Sequence, residues 1–219
     1  MKNDIFSKDH SHLVLEAATI GNLIFSIGAS SINDNFIASF SRSCSILNNV
    51  PEFNFTVRDA KKYLDILNSD LSLEDKESIT PIFESEDSFY QMMFAIDDFI
   101  NTTEPDYIWT SQPQELGKLL GNVLPQSRTF MYFDKGLVMD TSTFLSGRTH
   151  IDEAQLDKLN DVTMINPLNK ALLESQILIN FISNINKVER NMAVHSVKIN
   201  NSINKAKELL SKGDMNVVV

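Results

Sequence analysis

A mainly α-helical fold is what this chain predicts: an irregular bundle of six or seven helices, one small β-hairpin at about 129–139 and a long C-terminal helix at about 167–212. Three observations lead there. Leu178, Ile182, Ile185, Met192, Ile199, Ile203, Ala206 and Leu210 recur at spacings of four and three, with no Gly or Pro between Pro167 and Gly213. Seven glycines are few for 219 residues, so phosphate-cradling glycine loops are not expected. Only Thr129–Phe133, Asp134-Lys135-Gly136 and Leu137–Met139 together read as strand, turn and strand.

Taken in order, Leu13, Ala17, Ile20, Ile24 and Ile27 predict a first helix from Ser11 to Ile27, stopped at Gly28. Ser31 with Asp34 resembles a capping box for a second helix, which would bury Phe36, Ile37, Phe40, Cys44 and Leu47 and end by Pro51. Phe53, Phe55 and Val57 suit a short strand, and Thr56 equally suits the N-cap of a helix through Asn68. Ser72 opens a short acidic helix that Pro81 ends. Residues Ser85 to Asn101 give another, with Phe89, Met92, Met93, Ile96, Phe99 and Ile100 on it. Ser111 caps a helix containing Pro113 and Glu115 that ends before Pro125, and Thr149 with Asp152 starts one through Asn160. Asn166 as N-cap and Pro167 as first residue begin the long helix. Its seam extends back to Leu168 and Ala171 and carries polar residues at Ser175, Glu189 and Ser196. The asparagines at 191, 200, 201 and 204 predict a bend or break near 189–202. Domain organisation follows: a helical domain at 1–165 with the hairpin inside it, and 166–219 packing on it or extending as an arm.

Charge is unevenly placed. Asp70–Asp106 holds eleven acidic residues and one lysine, a net charge equal to the −10 of the whole chain, whereas Leu168–Lys212 carries net +4. Glu84, Glu86, Asp87, Asp97, Asp98, Glu104 and Asp106 are expected to form an acidic surface. Cations this sparse on a chain of pI near 4.8 argue against nucleic acid as a partner. No stretch is long and apolar enough to span a bilayer, and the N-terminus lacks a secretory pattern, so a cytoplasmic protein is expected. One cysteine, Cys44, excludes an internal disulfide and reads as a buried apolar group.

Chemistry-bearing patterns are few. Asp97-Asp98 and His150, beside Asp152 and Glu153, offer metal-ligating or acid–base groups, but the same residues serve helix dipoles and caps. His10 and His12 are two apart, which reads as chance. No zinc spacing, nucleophile elbow or dinucleotide fingerprint occurs, so no catalytic, metal or cofactor residue is assigned. The expected function is that of a non-catalytic interaction or assembly protein, which binds a protein partner or self-associates as a coiled coil through the C-terminal helix. The interface candidates are Ile182, Ile185, Glu189, Met192, His195, Ile199, Ile203 and Leu210. One alternative is an acidic inhibitor of a basic partner acting through 70–106, and another is a metal-dependent enzyme using Asp97, Asp98 or His150.

Overall fold

A computed structural model of the chain describes residues 5–7, 9–20, 23–33, 36–46, 65, 69–80, 85–146, 158 and 162–211. At its centre is a five-stranded mixed sheet in the order β3-β2-β1-β4-β5. The strands are β1 (His12–Ile20), β2 (Leu23–Asn33), β3 (Phe36–Ser43), β4 (Tyr107–Thr110) and β5 (Val138–Asp140). The first three form an antiparallel meander, and β1, β4 and β5 run parallel. Six α-helices are described: α1 (Leu73–Ile79), α2 (Phe89–Thr103), α3 (Pro113–Val123), α4 (Arg128–Asp134), α5 (Thr141–Ser146) and α6 (Pro167–Ser211). The fold is therefore α/β, and the mainly α-helical expectation is overturned.

The two helices expected over Ser11–Ile27 and Ser31–Leu47 are strands. His12 to Leu15 are all buried, so β1 is covered on both faces, and such a strand reads as a near-continuous apolar run. A run of that kind satisfies the four-three template by accident. Its Val, Ile and Thr content favours the extended chain. Gly28 stops nothing; it pairs with Glu16 in mid-sheet. The expected hairpin is also absent. Arg128–Asp134 is helical because Ser127 caps it, accepting from the Phe130 N–H at 3.0 Å. Gly136, at φ 67, closes that helix: its N–H donates to Phe133 O and the Leu137 N–H to Tyr132 O. The glycine serves a helix-to-strand turn, and β5 follows it.

Helix ends matched expectation more closely. Ser72 caps α1, accepting from Asp75 N–H. A capping box of Ser88 with Gln91 opens α2, three residues later than Ser85. Pro113 starts α3, and Asn166 caps α6, its Oδ1 accepting from the Leu168 N–H at 3.0 Å. No break appears near 189–202; α6 is helical from Pro167 to Ser211. The segments expected at 53–57, 56–68 and 149–160 lie almost wholly outside the described residues, as does Gly213.

The chain divides into two compact units, Asp9–Ile179 and a second made of Met1–Lys8 with Asn180–Val219. In the first, the registers place Leu13, Leu15, Ile27, Ala29 and Ile108 on one sheet face. These pack with Phe89, Met92, Met93, Ile96 and Ile100 of α2 and Leu116 and Leu120 of α3 as the core. The opposite face carries His12, Val14, Glu16, Gly28, Ser30 and Trp109. Here the start of α6 lies directly on the strands. A Cβ on Gly28 would fall 2.1 Å from Leu168 N and 2.3 Å from Pro167 C, so only glycine admits this approach. Asn166 and Asn169 tie the same turn to α1 through Ser78 O (2.8 Å) and Ser78 Oγ (2.7 Å). In the second unit Phe6 meets Phe181 edge-on at 5.0 Å.

Gly28→Ala must push backbone, not a flexible side chain. A loss of about 1–3 kcal/mol or more is expected, as for overpacked cores, measured by urea unfolding; an unchanged midpoint would contradict the contact.

Candidate functional site

Strand order reverses direction between β1 and β4, and in open α/β sheets ligands gather outside the carboxyl ends of strands at such a point. Glu16, Ser111 and Thr141 stand at or just beyond the carboxyl halves of β1, β4 and β5. Glu16 is 2% exposed. A buried carboxylate must be paired and hydrogen-bonded, and this one is. Its Oε1 accepts the Ser111 N–H at 2.6 Å, and its Oε2 accepts the Ser111 hydroxyl at 2.6 Å. Lys170 Nζ lies 2.7 Å from the same Oε2 and also donates to Ser111 Oγ.

Helix spacing adds a second acid. Glu174, four residues after Lys170, lies over the same strands with its Oε1 3.9 Å from Nζ, and it is 3% exposed. One ammonium cannot hold two buried carboxylates ionised. Burial, and after it the Glu16 charge, pushes the Glu174 carboxyl up to about 8 against the opposing charge of Lys170. Glu16 is the closer partner of Lys170, at 2.7 Å, and burial favours the protonated form of Glu174.

Beside them His12 is 1% exposed. Trp109 Nε1 donates to its Nδ1 at 3.1 Å, which leaves the ring neutral with its proton on Nε2. Burial lowers its pKa to about 4, assisted by the charge of His10. Tyr107 stacks on the ring at 5.9 Å, and Phe144 meets Trp109 edge-on. Among the described residues His12 Nε2, Ser30 Oγ and Ser175 Oγ are buried without a hydrogen-bond partner. All three belong to the sheet face under α6 or to α6 itself, so this layer holds spare hydrogen-bonding capacity.

None of these residues was picked out as a site from sequence. The legible signal was a glutamate inside the most apolar stretch of the chain, where a charge needs a partner. Its partners, Ser111 and Lys170, are remote in sequence and joined to it only by the fold. His12, set aside as chance, is a buried member of the layer.

The residues that were picked out are dispersed. Ile182 and Ile185 are half-buried, Met192, His195 and Ile199 are exposed, and the side chains of Glu189, Ile203 and Leu210 lie outside the described residues. Glu86, Asp98, Glu104 and Asp106 are exposed, Asp87 and Asp97 half-buried, and Glu84 and His150 lie outside the described residues. Two of the acids hold structure together. Asp97 Oδ2 accepts the Arg128 N–H at 2.9 Å, while its Oδ1 accepts the Thr129 N–H at 2.9 Å and hydroxyl at 2.6 Å. Asp87 pairs with Arg42 at 2.6 Å. Asp97 thus binds the first two backbone N–H groups of α4 beside its cap Ser127, and its oxygens are already engaged. Among the described residues no three His, Cys, Asp or Glu are grouped as metal ligands, and no helix is long and apolar enough to cross a membrane. Cys44 is buried, and burial pushes its thiol up to about 12, so it packs as an inert group.

No protein-family model matches the chain, and no curated protein or solved structure matches it.

Removing the ammonium leaves two buried acids facing one another. Lys170→Met is expected to cost on the order of 3–5 kcal/mol, read from urea unfolding near neutral pH.

The pH dependence separates the two buried titrating groups. Glu174 is protonated when folded up to about 8 but ionises near 4.5 when unfolded, so stability falls as pH rises between those values. His12 acts oppositely: it stays neutral when folded above about 4 but takes a proton below about 6.5 when unfolded, so stability rises across that window. Glu174→Gln should abolish the fall toward alkaline pH and leave the acid-side rise. A variant that kept the wild-type alkaline slope would show that Glu174 does not carry it.

Proposed function

We propose that this is a non-catalytic interaction protein in which the helical stretch at 188–199 takes a second helix, most directly that of another copy of the chain. The observation that carries the reading is the exposure of Val188 (56%), Met192 (67%), Val194 (53%), Val197 (58%) and Ile199 (58%) within three turns of α6. Val188, Met192 and Ile199 fall within about 40° of one another around the helix, and apolar side chains gathered so on one face mark a contact surface, whereas Val194 and Val197 point to other sides. Met192 and Ile199 are seven apart, as are Val188 and His195, which is the repeat by which one helix meets its own copy. The buried acid–lysine layer supports the same reading from the other side. Both oxygens of its Glu16 carboxylate are occupied, by Ser111 and Lys170.

A second surface supports the alternative reading, an acidic inhibitor of a basic partner. Tyr90 (45% exposed) and Phe94 (68% exposed) are one turn apart on α2, with the exposed acids Glu86 and Asp98 at either end. Aromatic faces flanked by carboxylates suit a basic segment of a partner, and such binding should weaken steeply with added salt.

Met192→Asp with Ile199→Asp tests the first reading. Both positions are exposed, so the monomer should keep its stability within about 0.5 kcal/mol. Native mass at rising concentration should show an oligomer for the wild type and a monomer for the variant. A wild type that stays monomeric throughout would overturn self-association.

A further inference from the structure

We infer that the pocket lined by Arg128, Lys135 and Asp106 binds a small organic oxyanion, a carboxylate or a phosphate monoester on a short apolar body. The pocket encloses about 190 Å³, formed where α4 passes the starts of β4 and β5. Ligand pockets for drug-sized molecules are larger, about 300–1,000 Å³, so the occupant is small.

Its charge is set by two cations seven residues apart on one side of α4. The ion pairs seen among the described residues include His10–Asp106, Arg42–Asp87, Lys170–Glu16 and Lys170–Glu174, and among those residues neither Arg128 nor Lys135 is paired. Arg128 Nε is buried and has no hydrogen-bond partner. That nitrogen is closed to the pocket, but Arg128 itself lines it without an ion-pair partner among the described residues, and an oxyanion is the acceptor that a planar guanidinium fork matches. The backbone at that point is fixed by Asp97, which holds the Arg128 N–H at 2.9 Å, so the side chain leaves from a rigid base.

The one acid in the pocket is already committed elsewhere. Asp106 Oδ2 accepts the Ser11 N–H at 2.8 Å and the Ser11 hydroxyl at 3.1 Å, with His10 Nδ1 at 3.5 Å. These bonds, the Ser11 N–H above all, hold its carboxyl below the usual range, so it stays ionised and bound to its own neighbours. Tyr132 likewise spends its hydroxyl inside the fold, donating to Pro105 O at 2.7 Å. What remains for a ligand is two cations over walls of Pro105, Met131 and Leu137. An anion on an apolar body uses both.

The experiment titrates the full chain with phenyl phosphate and with benzoate, read by calorimetry and by amide chemical shifts. One saturable site is expected, weakened at least tenfold in Arg128→Met and in Lys135→Met. Lys118→Met, an exposed lysine on α3, should leave it unchanged. The tighter of the two probes assigns the anion as phosphate or carboxylate. Lys135 is exposed, so its variant keeps the test decisive even if Arg128→Met disturbs α4. Absence of saturation by about 10 mM, which a probe of about ten atoms should reach, would overturn the proposal. So would equal weakening by Lys118→Met. Inorganic phosphate binding as tightly as phenyl phosphate would overturn the part played by the apolar walls.

Discussion

The ion pair between Glu16 and Lys170 is the interaction on which the Asp9–Ile179 unit depends most. A carboxylate in the middle of a strand buried on both faces has to find a cation and donors, or the strand cannot be central. Each requirement constrains a different part of the chain. Gly28 must lack a side chain so that Pro167 and Leu168 can touch the sheet. Asn166 must start the helix there, because one residue of slip would turn Lys170 about 100° away from Glu16. Strand β4 must end at Thr110, so that the Ser111 N–H and hydroxyl meet the two carboxylate oxygens. Burial raises the Glu174 carboxyl, which favours its neutral form and eases the placing of a second acid in the same layer without a second cation.

Local punctuation was legible in the sequence, and period was not. Ser72, Pro113 and the Asn166-Pro167 pair act through groups within four residues of themselves, so their chemistry announces helix starts whatever the rest of the chain does. The spacing of Leu13, Ala17, Ile20, Ile24 and Ile27 carries no such guarantee. When both faces of a strand are covered, apolar residues fill every template, and helical and extended periods both fit. Thr129–Phe133 shows the reverse case. Its residues favour strands, yet Ser127, Asp97 and the Gly136 turn hold them helical from outside the segment. The buried layer was hidden for a related reason. A glutamate among apolar residues looked like an interruption, because its partners come from β4 and α6 and no local pattern names them.

The two classes of surface differ in how far they are satisfied. In the layer under α6, the acid, the lysine and the serine answer one another, and the exposed part is chiefly the lysine stem, 24% accessible. On the stretch at 188–199, apolar groups face solvent with no such answer in the described chain. Charge follows the same division: Asp87 and Asp97 are drawn into ion pairing and helix capping, while Glu86 and Asp98 stay exposed beside Tyr90 and Phe94.

A double-mutant cycle on Glu16→Leu and Lys170→Met tests the central dependence most directly. If the pair organises this unit, each single variant leaves a charge buried alone, and the double variant should be less destabilised than the sum of the two by about 2 kcal/mol or more. Strict additivity, within about 0.5 kcal/mol, would mean that the two residues do not depend on each other, and the account of the sheet and its helix would be wrong.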